Sequence, residues 1–159
     1  GEEGLALAAA GISFEVVPGV SSAIAAAALS GIPVTHRGLS SGFVVVSGHA
    51  EDAYRPVLES HAPHSATVVV MMGLGRIDRI AGLLIERGWN AMTPSAVIFG
   101  ASTSSSKAWT VSLFDLTQNL IGADHSAPAT VVIGEVVRLS AVLGAQAQAE
   151  ADEAAAGGQ

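Results

Sequence analysis

The feature that most constrains the fold is the stretch from Phe14 to His49, in which glycine and proline separate short apolar segments. In it, the β-branched run Val16-Val17 ends at Pro18-Gly19, Ser21-Ser22 opens an alanine-rich segment, and Gly31-Ile32-Pro33 closes that segment. Pro-Gly pairs favour tight turns, and serine favours the first position of a helix. The stretch therefore predicts a strand, a turn and a helix whose first N–H groups can hold a polar ligand at a sheet edge.

The rest of the chain continues this alternation of strands and helices. Strands are predicted at Ser13–Val17, Phe43–Ser47, Thr67–Met72, Ser95–Phe99, Ala108–Leu113 and Ala129–Gly134, and helices at Glu2–Ala10, Ser21 or Ser22 to Leu29, Arg76–Arg87, Leu116–Ile121 and Val136–Val142. Residues 51–65, which carry His, Pro and charged residues, are predicted to form a loop, and a helical turn within it is left open. Alternating strands and helices indicate the α/β class.

Composition excludes several classes of protein. Seven Lys and Arg against fourteen Asp and Glu give a net charge of −7, which disfavours a nucleic-acid partner because phosphate binding needs a basic surface. The absence of cysteine excludes disulfides and thiolate metal sites, and it fits a cytoplasmic protein. No apolar run is long enough to span a bilayer, so no membrane partner is expected.

Three groups of polar or small residues have both a structural and a functional interpretation. Ser21 and Ser22 can cap a helix or contact a ligand, and Met72-Gly73-Leu74-Gly75 can be a strand-to-helix turn or part of a binding site. His36-Arg37 can be solvated or can bind carboxylates, which Arg does bidentately. The residues alone leave these alternatives open. His49, His61, His64 and His125 have no spacing that indicates a metal site.

Several motifs in consecutive order carry a resemblance to a known family. Residues 17–23 read Val-Pro-Gly-Val-Ser-Ser-Ala, residues 30–37 read Ser-Gly-Ile-Pro-Val-Thr-His-Arg, and residues 46–49 read Val-Ser-Gly-His. Together with Met71-Met72-Gly73-Leu74, they resemble the uroporphyrinogen-III C-methyltransferases of the tetrapyrrole methylase family. The resemblance covers roughly Gly1 to Gly144.

The resemblance implies two α/β domains with the cofactor in the cleft between them. Residues 1–32 would be the end of the first domain and residues 33–144 the second, followed by a disordered tail at 145–159. Most of the first domain, with the acid/base groups of the family, would then lie outside this chain. No catalytic residue is expected within the chain, and the chain alone is expected not to turn over.

The resemblance also assigns roles to individual residues. Ser21, Ser22, Met72 and Ala101 match positions that contact S-adenosylmethionine, which becomes S-adenosylhomocysteine after methyl transfer. His36 and Arg37 are expected to meet the carboxylates of uroporphyrinogen III. The implied reaction gives precorrin-2 for sirohaem and cobalamin synthesis, and the enzyme is expected to be a homodimer.

Two other interpretations remain open at this point. One is a relative that methylates a later precorrin. The other is a non-catalytic ligand-binding or dimerisation module, which would bind S-adenosylhomocysteine poorly despite an intact fold.

The tail at 145–159 gives a first test. It has no apolar side chain larger than that of alanine, so packing it would offset little of the entropy lost on ordering. We expect deletion of 145–159 to leave the melting temperature unchanged, as measured by circular dichroism. A fall of several degrees would contradict this prediction.

Overall fold

A computed structural model describes residues 1–118 and 128–144 of the chain. The helices are α1 (Glu2–Ala9), α2 (Ser22–Leu29), α3 (Glu51–Glu59), α4 (Ile77–Glu86) and α5 (Leu113–Thr117), and the strands are β1 (Phe43–Ser47), β2 (Thr67–Met71), β3 (Pro94–Phe99), β4 (Lys107–Ser112) and β5 (Ala129–Ile133). Short 3₁₀ turns cover Leu74–Arg76 and Glu135–Leu139. The α/β class predicted from the sequence is confirmed.

The strands form one mixed sheet of five in the order β1-β2-β5-β3-β4. Strands β1 and β2 are parallel, whereas β5 runs antiparallel to both of its neighbours, β2 and β3. The carboxyl ends of β1, β2 and β3 therefore meet the amino end of β5 at one edge of the sheet. We call this the carboxyl edge, and the other end of β2 the amino edge.

Both faces of the sheet are covered by helices. On one face, α3, α4 and α5 bury apolar side chains that include Tyr54, Ile80 and Leu116. On the other face, Ala26 and Ala27 of α2 pack with Ile32, Val136 and Val137 against β3 and β5. The domain division predicted between residues 32 and 33 stays a prediction, although α2 and Ile32 pack on the same sheet as the later elements.

The prediction of a loop over residues 51–65 is wrong for its first part, which forms helix α3. Tyr54 and Leu58, four residues apart, are both buried on one side of this helix. Arg55 forms ion pairs with Glu51 and Glu59 on the exposed side. Pro56 lies within the helix, and its presence favoured the prediction of a loop. The helix forms nevertheless, because burial of the apolar pair outweighs the loss of the hydrogen bond that proline removes.

The predicted strand at Ser13–Val17 is also wrong, since these residues pair with no strand in the described part of the chain. Val16 and Val17 are 78% and 79% exposed, and α1 buries none of its residues. A strand needs the hydrogen bonds of a neighbouring strand, and the sheet β1–β5 supplies none here. A β-branched run alone is therefore insufficient.

The ends of two later helices differ from the predictions. Helix α5 begins three residues earlier than predicted, because Ser112 and Asp115 form a reciprocal capping box. The hydrogen bonds from Ser112 hold the pKa of Asp115 below its ordinary value. The predicted closing helix begins instead as the 3₁₀ turn Glu135–Leu139, with α-helical residues at 140–144. Residues 119–121 of the predicted helix and the predicted tail lie outside the described residues.

Two glycines allow the turns after β1 and β2 to touch. A Cβ atom added to Gly48 would lie 2.4 Å from Cα of Gly73, which is closer than real Cβ contacts allow. The backbone N–H of Gly48 also donates to the carbonyl of Met71 across 2.7 Å. The two turns therefore form a single packed unit at the carboxyl edge.

We expect Gly48→Ala to lower the free energy of unfolding by about 1–3 kcal/mol, because the methyl group would overpack this contact. Gly82→Ala is the matched control, since an added Cβ there meets no atom within 4 Å. Its place inside α4 should give a gain of about 0.5–1 kcal/mol. Urea unfolding measures both values, and equal effects would show that the contact is not restrictive.

Candidate functional site

The carboxyl edge contains a pocket of about 300 Å³ on the face covered by α2. Its wall comes from the start of α2, the ends of β2 and β3 and the start of β5: Ser22, Met71, Met72, Ile98, Gly100, Ala101, Thr103, Pro128, Ala129 and Thr130. Three of the four residues that the resemblance assigns to the cofactor, Ser22, Met72 and Ala101, are therefore neighbours in this pocket.

Met72 follows β2 in an unusual backbone conformation. Its φ is 52°, in the left-handed region that residues with a Cβ adopt at a cost. Its side chain is 69% exposed, so burial of the thioether does not account for that conformation. Backbone strain of this kind concentrates at binding sites, where it aims a backbone group or side chain at a ligand.

The start of α2 separates the roles of its two serines. The Ser21 hydroxyl accepts a hydrogen bond of 3.3 Å from the N–H of Ala23, so Ser21 is the helix cap. Ser22 is the first helical residue and lines the pocket, whereas Ser21 is not part of the pocket wall. Ser22 thus contributes its hydroxyl to the pocket wall, beside the unpaired N–H groups at the start of α2.

The loop after β3 forms the opposite wall of the pocket. Gly100 has a φ of 51°, and its carbonyl accepts a hydrogen bond of 2.7 Å from the Thr103 hydroxyl. This turn leaves half-buried Ala101 facing the pocket with its small side chain. A small residue here lets the main chain approach a ligand closely.

Several wall residues were not predicted from the sequence, among them Thr103, Pro128 and Thr130. The register pairs Thr130 with both Met71 and Ile98, which places it in the middle of the pocket floor. A polar residue at the start of a buried apolar run is the one signal that points to Thr130. This signal identifies Thr130 as a pocket residue only once it is known that β5 lies between β2 and β3.

His36 and Arg37 are not brought to this pocket. They occupy a tight turn in which the N–H of His36 donates to the carbonyl of Ser40 across 2.9 Å, and both side chains are exposed. Ser40 lies beside Thr67 in a small cavity at the amino edge. The turn therefore joins the sheet at the end opposite the pocket, and substrate contact by His36 and Arg37 stays a prediction.

The other histidines have local partners. Nδ1 of His49 lies 2.8 Å from the Ser47 hydroxyl at the carboxyl end of β1, and Nδ1 of His61 lies 2.7 Å from the carbonyl of Val57. Within residues 1–118 and 128–144, no cluster of His, Asp and Glu could hold a metal ion. His125 lies outside the described residues.

The chemistry of the pocket is that of binding. Its described wall carries apolar side chains, the hydroxyls of Ser22, Thr103 and Thr130, and no titratable side chain. Apolar surface with a few hydroxyls suits a ligand that has a ring system and several hydrogen-bonding groups.

Comparison with known proteins identifies the family. A family model described as tetrapyrrole (corrin/porphyrin) methylases matches residues 1–117. The chain belongs to this family. The resemblance seen in its motifs is thereby confirmed.

Individual relatives agree with this membership. The uroporphyrinogen-III C-methyltransferase of Bacillus subtilis is 37% identical over 86% of this chain, and the chain covers 54% of that protein. The uroporphyrinogen-III C-methyltransferase of Priestia megaterium is also 37% identical, over 88% of this chain, and the chain covers 60% of that protein. A sirohaem synthase of Methylococcus capsulatus is 40% identical over 87% of the chain, which covers 30% of that protein. The chain therefore spans less than two thirds of these relatives.

A solved structure matches the fold. A uroporphyrin-III C-methyl transferase from Thermus thermophilus, complexed with S-adenyl homocysteine, superposes with a TM-score of 0.74 at 38% identity. The match covers 87% of this chain and 60% of that one. The tetrapyrrole methylase fold expected from the motifs is confirmed for the part of the fold that this chain contains. No described helix has the length and apolar character needed to cross a membrane.

The strain at Met72 can be measured through a matched pair of methionines. We expect the Met72→Gly variant to be about 1 kcal/mol more stable than Met92→Gly, because glycine relieves the left-handed conformation only at position 72. Met92 is also 69% exposed and does not have a positive φ. Equal free energies of unfolding in guanidinium would show that Met72 is unstrained.

Proposed function

We propose that this chain provides one wall of the S-adenosylmethionine site of a uroporphyrinogen-III C-methyltransferase. The observation that carries the proposal is the meeting of Ser22, Met72 and Ala101 in one pocket. These residues are far apart in the sequence, and the motif resemblance assigned them to the same ligand independently of the fold.

The pocket fits the proposed cofactor in size and chemistry. Its volume of about 300 Å³ is at the lower end of the range for small-molecule sites, as expected for one wall of a cleft. Ile98 and Ala101 offer apolar contact to an adenine ring, and the hydroxyls of Ser22 and Thr103 can bond polar groups. When bound, S-adenosylmethionine supplies an activated methyl group for an in-line displacement.

The contribution of this chain to that reaction is positioning. Alignment of donor and acceptor in a dry cleft lowers the entropic part of the barrier, and it needs no titratable group. The strained turn at Met72 and the turn at Gly100 fix the main chain on two sides of the pocket. The group that removes the ring proton after methylation is proposed to belong to the other domain of the complete protein.

The substrate and setting are proposed from the relatives. Uroporphyrinogen III is named in the relatives from Bacillus subtilis and Priestia megaterium, and sirohaem synthesis in the relative from Methylococcus capsulatus. We extend both to this protein, as a cytoplasmic homodimer that yields precorrin-2. His36 and Arg37 lie away from the cofactor pocket and are proposed to contact carboxylates at the periphery of the large macrocycle.

The cofactor site is tested with Ala101→Leu in the complete protein. The larger side chain should crowd the ligand at a cost of about 1–3 kcal/mol. Each 1.4 kcal/mol corresponds to about a tenfold change in affinity. We therefore expect calorimetric titration to give an affinity for S-adenosylhomocysteine weakened about tenfold or more, with the free energy of unfolding nearly unchanged.

The matched control is Ala108→Leu on strand β4, an exposed position outside the pocket wall. It should leave the affinity unchanged. Met72→Ala should weaken binding less than Ala101→Leu, because part of its expected contact is made by the backbone. An unaltered affinity in Ala101→Leu would remove the loop after β3 from the proposed site.

A further inference from the structure

The sulfur chemistry of this chain rests on three methionines, because the sequence contains no cysteine. Met71 and Met72 lie in the wall of the candidate pocket, whereas Met92 lies outside it. Met72 and Met92 are each 69% exposed, and Met71 is half-buried. Met72 is therefore the one methionine that is both exposed and part of the pocket wall.

An exposed thioether reacts with hydrogen peroxide. The sulfur lone pair attacks one peroxide oxygen, so that an S–O bond forms and the O–O bond breaks. The hydroxide that is released takes the proton from the transferred oxygen and leaves as water. Sulfur is thereby oxidised by two electrons to the sulfoxide, which is polar where the thioether was apolar, and methionine sulfoxide reductases reverse the change.

The main chain holds Met72 at the pocket. Its φ of 52° belongs to a turn that continues into Gly73, which is buried. A Cβ atom added to Gly73 would lie 2.4 Å from Cγ1 of Val70 and 3.2 Å from Cα of Gly48. The backbone after Met72 is thus tightly packed and cannot shift without disturbing the turns after β1 and β2. An oxidised Met72 would therefore stay in the pocket wall.

A sulfoxide at this position would border a largely apolar wall. Ile98, Ala101 and Ala129 have no side-chain donor, and the Thr103 hydroxyl already donates to the carbonyl of Gly100. The sulfoxide oxygen only accepts hydrogen bonds, so its burial beneath a ligand without a donor is unfavourable. In the empty pocket the same oxygen faces water. Oxidation of Met72 therefore disfavours the occupied pocket and not the empty one.

We propose that Met72 is a redox-sensitive modification site, at which hydrogen peroxide converts the thioether to the sulfoxide and thereby weakens the binding of S-adenosylmethionine. The inference rests on the proposed function, which assigns the pocket to that cofactor. A cleft wide enough to admit the cofactor also admits the much smaller peroxide, so an empty site is open to oxidation in the complete protein. Bound cofactor covers Met72, so an occupied site resists it.

Peroxide treatment of the complete protein tests the proposal. Peptide masses measure the sulfoxide at Met72 and Met92, and calorimetric titration measures the affinity for S-adenosylhomocysteine before and after treatment. We expect bound S-adenosylhomocysteine to slow oxidation of Met72 severalfold and to leave that of Met92 unchanged. Oxidation should weaken the affinity about tenfold or more, as expected for one polar group buried without a partner. A methionine sulfoxide reductase should restore it.

Two variants separate Met72 from other oxidisable residues, each compared with itself before and after peroxide. Met72→Leu removes the sulfur and should keep its own starting affinity. Met92→Leu is the matched control, since Met92 is equally exposed, and it should lose affinity as the unaltered protein does. A loss in Met72→Leu as large as in the unaltered protein would overturn the inference.

The outcomes also distinguish this inference from the proposed function. Untreated protein that does not bind S-adenosylhomocysteine would overturn both together. If the untreated protein binds, the absence of sulfoxide at Met72 after treatment would overturn the inference alone. An unchanged affinity once Met72 is oxidised would do the same.

Discussion

The position of strand β5 is the constraint on which the rest of this structure depends. It lies between β2 and β3 and pairs antiparallel with both. Val131, Val132 and Ile133 are fully buried, and their side chains alternate between the two cores. Removing β5 would separate β1 and β2 from β3 and β4 and would uncover both cores at once.

The position of β5 between β2 and β3 also creates the candidate pocket. The end of β2 and the end of β3 do not pair with each other, but β5 holds both beside its own first residues. Thr130 therefore lies between Met71 and Ile98 at the floor of the pocket. Helix α2 packs on the same face and adds Ser22, so distant motifs converge because the sheet order brings them together.

The two ends of the sheet differ in their construction. At the carboxyl edge, Met72 and Gly100, which have positive φ values, lie in the pocket wall, and the turns after β1 and β2 pack together through Gly48 and Gly73. At the amino edge, the buried Trp89 lines a cavity of about 30 Å³.

The sequence by itself determined the elements with strong local signals. Apolar spacing specified α4, short β-branched runs specified β1, β2 and β3, and serine at a helix start specified α2. The motifs were also enough to indicate the family, whereas the assignment of Ser21, Ser22, Met72 and Ala101 to the cofactor stays a prediction. The signals for the helices and strands are local, because each depends on residues within one helix or one strand.

Only the tertiary structure decided which of these elements pair and which residues meet. Pro56 was tolerated inside α3 because Tyr54 and Leu58 are buried together. Val16 and Val17 formed no strand because no strand of the described sheet lies beside them to pair with. The order of the strands places Thr130 in the pocket wall and places His36 and Arg37 away from it. Sheet order depends on contacts between residues far apart in the chain, so local sequence patterns cannot specify it.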